Sequence, residues 1–248
     1  MLTAAQQQLH AEAGNWLNRG RADFLARLLA AHVPCRQGEL LEVGAGAGQN
    51  LPTLARFGDV DALEVSEAAQ PLLAANPAIR TLYTSPLPGA QVDRCYDVVV
   101  ALDVLEHIED DDAAARWLVD HLKPGGLLIA TVPAYQWLFS AHDRANEHFR
   151  RYTVGQLCDR VPPGMHILAR GYFNMTLFPL ALLSRALWSV RRRHAVADGG
   201  KKQSSDVPGG LGRIFLQILK WEAAIVPRMG GLPWGLTAFV CARKPGAR

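Results

Sequence analysis

Leu40-Leu41-Glu42-Val43-Gly44-Ala45-Gly46-Ala47-Gly48 is the stretch whose reading decides the fold. An apolar run ends in Glu42, and three glycines follow at alternate positions, Gly44, Gly46 and Gly48. Such a run passing into glycines reads as a buried strand, a tight loop and then a helix. Glycine supplies positive φ and lets the backbone approach a ligand with no Cβ between them. A helix from about Asn50 would then turn its free N–H groups toward that ligand. G-x-G-x-G is one residue shorter than the G-x-G-x-x-G of dinucleotide binders.

Working outward, Glu64 closes a second apolar stretch, Val60–Val65. A carboxylate roughly twenty residues past the first glycine is where an α/β nucleotide fold holds ribose hydroxyls. Two later stretches continue the pattern: Tyr96–Ile108 reads Y-D-V-V-V-A-L-D-V-L-E-H-I, and Leu122–Pro133 reads L-K-P-G-G-L-L-I-A-T-V-P. Together with Glu42 before the glycines, they resemble the class I S-adenosylmethionine-dependent methyltransferases, whose first motif is E/D-x-G-x-G-x-G. The resemblance covers Leu40–Pro133 and says nothing of the substrate.

It implies an α/β, Rossmann-like fold: a seven-stranded, mostly parallel sheet with helices on both faces, the last strand antiparallel, and a helical lid. It also implies S-adenosyl-L-methionine as cofactor, held by Glu42, Gly44, Ala45, Gly46, Gly48, Asn50, Glu64, Val65, Leu102, Asp103 and His107. Leu102 is expected to flank the adenine and Asp103 to lie near the methionyl part. The family places an acidic residue after the third strand, Ile79–Tyr83, to hold the adenine amino group. Thr84-Ser85-Pro86 stands there instead, so Ser85 is the candidate for that contact.

At 248 residues, 49% hydrophobic and 20% charged, the chain fits one globular domain with an elaboration. A net charge of +3 gives no argument for nucleic acid, and none is expected as a partner. Cys35, Cys95, Cys158 and Cys241 form no C-x-x-C pair, which argues against a zinc site or disulfide frame and for a reducing compartment. Met1–His10 is polar and carries no cleavable signal pattern. The expected location is the cytoplasm, with a peripheral station at the inner membrane face as an elaboration. The acidic run Glu109–Asp112 is read as favouring a helix N-terminus over Ala113–Leu122; no metal is expected there, since consecutive carboxylates need not converge.

The domain divides into a helical cap (1–34), a nucleotide-binding core (35–172), a helical insertion or lid (173–230) and a final strand with its tail (231–248). In the cap, Thr3–Val33 has helical spacing with Phe24, Leu25, Leu28 and Leu29 on one face. Gly20 is expected to interrupt or bend it. Trp16, Arg19 and the nearby Arg21 are candidates for closing over a ligand, with Trp16 and Arg19 touching substrate. Downstream, Ser66 is expected to cap the next helix with Glu67 in its first turn.

Past Pro133, the sequence P-A-Y-x-x-L-x-x-x-H-D followed by H-x-R-R-Y-T looks like a bacterial methyltransferase subgroup linked to cell-envelope or lipid-linked glycan metabolism. A hydroxyl acceptor gains from a base, and His142 beside Asp143, or His148, has suitable chemistry. Tyr135, Arg150, Arg151 and Tyr152 are substrate candidates, the arginines for a forked grip on an anionic group.

Met175–Val190 is strongly apolar and ends in Arg191-Arg192-Arg193-His194. Pro179, Ser184 and Arg185 argue against a span, while peripheral membrane contact through 173–194 remains open beside a packed cap helix. Asp198–Gly210 reads as a mobile loop. Leu211–Val226 then places Ile214, Ile218, Trp221 and Ile225 at helical spacing, as a face covering something.

The leading expectation is methyl transfer to oxygen or nitrogen of a small-molecule or lipid-linked acceptor. The alternatives are a non-catalytic nucleotide-binding accessory protein and an NAD-type oxidoreductase. Nucleic-acid base methylation is disfavoured, because Ala101-Leu102-Asp103-Val104 replaces the N/D-P-P-Y/F motif of such enzymes.

Overall fold

The computed structural model describes residues 15–33, 37–180, 182–183 and 209–246. The expected helix over 3–14, the stop at Pro34, the basic cluster 191–194 and the loop 198–208 lie outside the described residues, as does most of the apolar stretch beyond 183.

Seven strands build one sheet: β1 (Gly38–Val43), β2 (Gly58–Leu63), β3 (Ile79–Tyr83), β4 (Tyr96–Leu102), β5 (Leu122–Pro133), β6 (His166–Phe173) and β7 (Thr237–Arg243). Their order is β3-β2-β1-β4-β5-β7-β6, and only β7 runs antiparallel to its neighbours. The expected Rossmann-like sheet with one reversed strand is therefore present. The chain moves outward from β1 to β3 and returns on the other side at β4. This reversal opens a crevice at the carboxyl ends of β1 and β4, where doubly wound sheets bind ligands.

Strand composition follows from burial on both faces. Along β4, Val98 and Val100 enter one apolar cluster while Val99 and Ala101 enter the other. The first cluster receives helix α1 (Trp16–His32), the short α2 (Leu51–Leu54) and α7 (Gly209–Met229); the second receives α4 (Asp111–Asp120) and α6 (Val154–Arg160). Two further short helices, α3 (Gln70–Ala74) and α5 (Ala141–Ala145), lie in the connections.

Helix α1 buries Phe24, Leu25, Leu28 and Leu29, the face its spacing marks. Gly20 does not interrupt it. It is buried mid-helix, and a Cβ there would sit 2.5 Å from Leu219 Cδ1 and 2.8 Å from Leu219 Cβ. The glycine lets α1 and α7 approach, and one absent Cβ is not enough to break a helix held by tertiary packing.

Helix α7 buries Gly212, Leu216, Leu219, Ala223 and Val226, not the face first read. Ile214 and Trp221 point outward, each more than half exposed. Both stripes of this helix are apolar, so periodicity alone could not choose between them. Ser66 also acts differently from expectation: its carbonyl accepts from Ala69 and Gln70, and α3 begins only at Gln70 with Ala69 at the cap.

Candidate functional site

Gly44, Gly46 and Gly48 all adopt positive φ, at 71°, 55° and 79°. A Cβ at Gly44 would meet Val104 Cγ2 at 2.6 Å, and one at Gly48 would meet Leu51 Cδ1 at 2.7 Å. The loop is therefore bare backbone by steric necessity, folded at the β1 end of the crevice. Ala45 is fully buried beneath it.

Helix α2 has only four residues, and the Leu51 N–H already bonds Gly48 O. It offers no row of free donors, contrary to expectation. Asn50 does not cap it; its side-chain N–H donates to Glu42 Oε1 at 2.8 Å. Glu42 is 1% exposed, and its second oxygen has no partner among the described residues. Burial and then repulsion from Glu64 push its carboxyl up to about 8, against the Asn50 hydrogen bond.

Glu64 stands just past β2 and turns toward the glycine loop. It accepts from Gly46 N–H at 2.6 Å and from Ser66 N–H at 2.8 Å. A carboxylate has about four lone-pair sites, so acceptor capacity remains for sugar hydroxyls. Val65 beside it is 53% exposed, and Ser85 lies exposed in the connection after β3.

At the end of β4, Leu102 is half-buried and Asp103 adopts φ 55°. The Asp103 side chain accepts from Thr131 Oγ1 at 3.2 Å and pairs with Arg21 at 2.6 Å. A 3-10 turn, Leu105–His107, follows. Its Glu106 has no exposed surface, and neither carboxylate oxygen has a hydrogen-bond partner among the described residues. Burial, reinforced by Asp103, holds this carboxyl well above the ordinary range. His107 lies at the surface, with its ring edge on His148 at 4.5 Å. Partial desolvation and then the neighbouring His148 lower its pKa.

Beside this turn opens a cavity of about 610 Å³. Trp16, Leu17, Leu177, Leu180, Phe215 and Leu236 give it an apolar wall; Arg21, Asp103, Glu106, His142, His148 and Arg151 give it a polar end. Trp16 packs on Phe215 at 5.1 Å, so α1 and α7 together roof the space.

Trp16, His142, His148 and Arg151 thus converge on one cavity. Other candidates are placed elsewhere. Arg19 is exposed on α1 and Arg21, two positions on, reaches the cavity instead. Asp143 is completely buried: it accepts from Ser140 N–H and Oγ–H at the start of α5, pairs with Arg151 at 2.7 Å, and lies 3.2 Å from His148 Nδ1. It positions its neighbours and cannot itself meet an acceptor.

Arg150 turns away from Arg151 to Asp111 at 2.9 Å and the Glu109 carbonyl, so the two make no joint fork. Tyr152 is 2% exposed, donating to Asp111 Oδ2 and the Leu105 carbonyl. Tyr135 stacks on Tyr172 at 5.0 Å and is not among the lining residues. The sequence reading missed Glu106, Asn174 and Phe215 as wall residues, while Arg21 entered it only as a lid candidate beside Trp16. Glu106 stood in the quoted L-D-V-L-E-H-I stretch, three residues after Asp103, and that spacing was its available signal.

Residues 14–168 match a family model described as a methyltransferase domain. The chain belongs to this family, the class I S-adenosylmethionine-dependent methyltransferases. It is 30% identical over 119 residues to the ubiquinone biosynthesis O-methyltransferase of Rickettsia felis, covering 46% of this chain and 49% of that protein. It thus spans about half the length of such curated relatives. Among solved structures, a putative sarcosine dimethylglycine methyltransferase from Galdieria sulphuraria superposes with a TM-score of 0.57 at 18% identity, over 91% of this chain and 86% of that one. An N-methyltransferase from Bradyrhizobium japonicum in complex with S-adenosylhomocysteine gives 0.53 at 14% identity, over 98% and 100%.

S-adenosyl-L-methionine is the cofactor of the class, and the crevice fits it. Gly44 and Gly48 have no room for side chains, Glu64 borders the loop, and the buried Glu42 keeps an oxygen with no partner among the described residues.

Proposed function

We propose that the protein transfers a methyl group from S-adenosyl-L-methionine to a small-molecule acceptor with an apolar body, at oxygen in preference to nitrogen. The observation that carries this is the division of the cavity: an aromatic and aliphatic wall from α1 and α7, with two histidines and acidic groups at the other end. An amphiphilic, lipid-linked molecule suits that division. The O-methyltransferase name of the Rickettsia felis relative supports the choice of oxygen.

When bound, the cofactor supplies an electrophilic methyl group on a positive sulfur, whose departure needs no acid. The glycine loop, Glu42 and Glu64 would hold it, and Asp103 stands between that crevice and the cavity. The chain's further contributions are alignment of the acceptor and exclusion of water, which Trp16, Leu177 and Phe215 perform. His142, at the polar end, is the candidate to take an acceptor hydroxyl proton.

The test is a labelled-methyl product search in cell extracts, alongside titration with S-adenosylmethionine and NADH. A methylated product with a free-hydroxyl precursor is expected. Failure to bind S-adenosylmethionine, or tight binding of NADH alone, would refute the reading.

No described helix is long and apolar enough to cross a membrane. We place the peripheral contact on the outward stripe of α7. Ile214 and Trp221 are exposed there, Arg213, Lys220 and Arg228 are the cations of the helix, and its one acid, Glu222, is buried. This combination suits an anionic lipid surface. Co-sedimentation with anionic but not neutral vesicles at low salt is expected; absence of pelleting would reject it.

A further inference from the structure

Glu106 poses a physical problem that the methyl-transfer reading leaves unsolved. Its carboxyl group is wholly buried, and both oxygens lack a hydrogen-bond partner among the described residues. Such a group is costly to keep unless something satisfies it. Of the two guanidinium groups whose charge acts on Glu106, Arg151 is held by Asp143 at 2.7 Å and Arg21 pairs with Asp103 at 2.6 Å, and neither makes a hydrogen bond to it among the described residues, although Arg21 Nε has no partner there either. What does face Glu106 is a pair of imidazoles. One donor atom from each of Glu106, His107 and His148 lies within 4.8 Å of the other two. That spacing is close to the span of ligands about 2.0–2.2 Å from a common metal ion.

The surroundings are those of a constructed site. The Phe149 N–H bonds the Glu106 carbonyl at 2.8 Å, tying the 3-10 turn to the segment that carries His148. His148 Nδ1 is engaged by the buried Asp143, which leaves Nε2 for a ligand. The His107 ring meets that of His148 nearly at right angles, with centroids 4.5 Å apart. An imidazole that binds metal is characteristically held as His148 is, by a carboxylate on its other nitrogen.

We infer that Glu106, His107 and His148 bind a divalent first-row metal ion, of the zinc or cobalt type, at the polar end of the acceptor cavity. Two imidazoles and one carboxylate suit such ions better than magnesium or calcium, and three protein ligands leave positions open. Glu106 and His148 line the cavity, so the open positions face the acceptor.

The ion's role, unlike its binding, rests on the methyltransferase reading. Coordinating an acceptor hydroxyl lowers its pKa. The proton leaves through His142 to water, the oxygen electron pair forms the new bond to the methyl carbon, and the carbon–sulfur pair returns to sulfur as a neutral thioether.

The test is titration of the chelator-treated full chain with Co²⁺, followed by visible absorption and calorimetry, with Mg²⁺ as comparison and S-adenosylmethionine binding measured in parallel. One Co²⁺ per chain is expected, with melting temperature raised by the ion. Affinity should fall at least about tenfold in Glu106→Gln, His148→Ala and His107→Ala. His107 is exposed, so its variant decides the matter if the buried-site variants fail to fold; retained S-adenosylmethionine binding certifies folding. Absence of Co²⁺ binding in wild-type protein that binds S-adenosylmethionine overturns the ion site and leaves the methyltransferase reading intact. Undiminished binding in His107→Ala also overturns it. Co²⁺ binding without S-adenosylmethionine binding upholds the site and removes only its assigned role.

Discussion

Nδ1 of His148 lies 3.2 Å from Oδ1 of Asp143, and the same oxygen is 2.7 Å from Nε of Arg151. One buried carboxylate thus orients both a histidine and an arginine of the cavity wall. Its second oxygen caps α5 through Ser140. Asp143 therefore acts on the cavity through its neighbours, while the adjacent His142 turns its Nε2 to the Asn146 side chain at 3.0 Å.

That arrangement makes Asp143 an acid-sensitive element. Burial would raise its carboxyl pKa, but hydrogen bonds from His148 and Arg151 outweigh burial and hold it well below 3.8. The ionised form is favoured in the fold, so its stabilisation is complete above the unfolded pKa and lost as pH falls through the folded value. Asp143→Asn should cost about 3 kcal/mol, because it strands the Arg151 charge. Chemical denaturation at pH 7 and pH 3 checks this: the difference between wild type and variant should shrink at the lower pH.

Glu42 has the opposite sign. Burial first, and then Glu64, raise its carboxyl from 4.5 to about 8. Between those values the folded state keeps a proton that the unfolded state has lost, so this group's contribution to stability declines as pH rises through that window. Glu42→Gln keeps the shape and the contact with Asn50 while removing the titration. Melting temperature measured from pH 5 to pH 8 should fall less steeply in the variant. Parallel slopes would show that Glu42 is ionised in the fold throughout.

The fold was legible because its signals are local. Glycines at 44, 46 and 48 each occupy positive φ, and the unalternating apolar run of Asp97–Ala101 is what a doubly covered strand requires. The site was less legible, since side-chain destinations depend on distant partners. Nothing near Arg150 in sequence says that it will meet Asp111, or that Tyr152 will donate to the same carboxylate. Helix α7 shows the limit of periodicity: with Leu216 and Leu219 on one side and Ile214 and Trp221 on the other, only contact with α1 decides which is buried.

Contact between α1 and α7 centres on Gly20. Alanine is ordinarily better than glycine within a helix by about 1 kcal/mol. Here its Cβ would fall 2.5 Å from Leu219 Cδ1, and overpacking of this kind costs about 1–3 kcal/mol. Gly20→Ala should therefore destabilise the protein despite its propensity gain, and Leu219→Ala in the same chain should recover part of the loss. Denaturant titration of the two single variants and the double variant measures the coupling. Simple additivity would mean that the helices do not meet at this point.

Arg21 and Asp103 join α1 to the turn after β4, with side chains 30% and 21% exposed. A pair this wet contributes little to stability, so Arg21→Ala should change unfolding free energy by no more than about 1 kcal/mol. Its effect on binding should be larger. We propose that Asp103 receives the methionyl part of the cofactor, whose ammonium group would then compete with the guanidinium. Removing Arg21 frees the carboxylate for the ligand. Calorimetry with S-adenosylmethionine should show several-fold tighter binding in the variant, and more so at low salt, where the competing pair is least screened. Weaker binding would reverse the assignment, making Arg21 a cofactor contact and the ion pair its resting position.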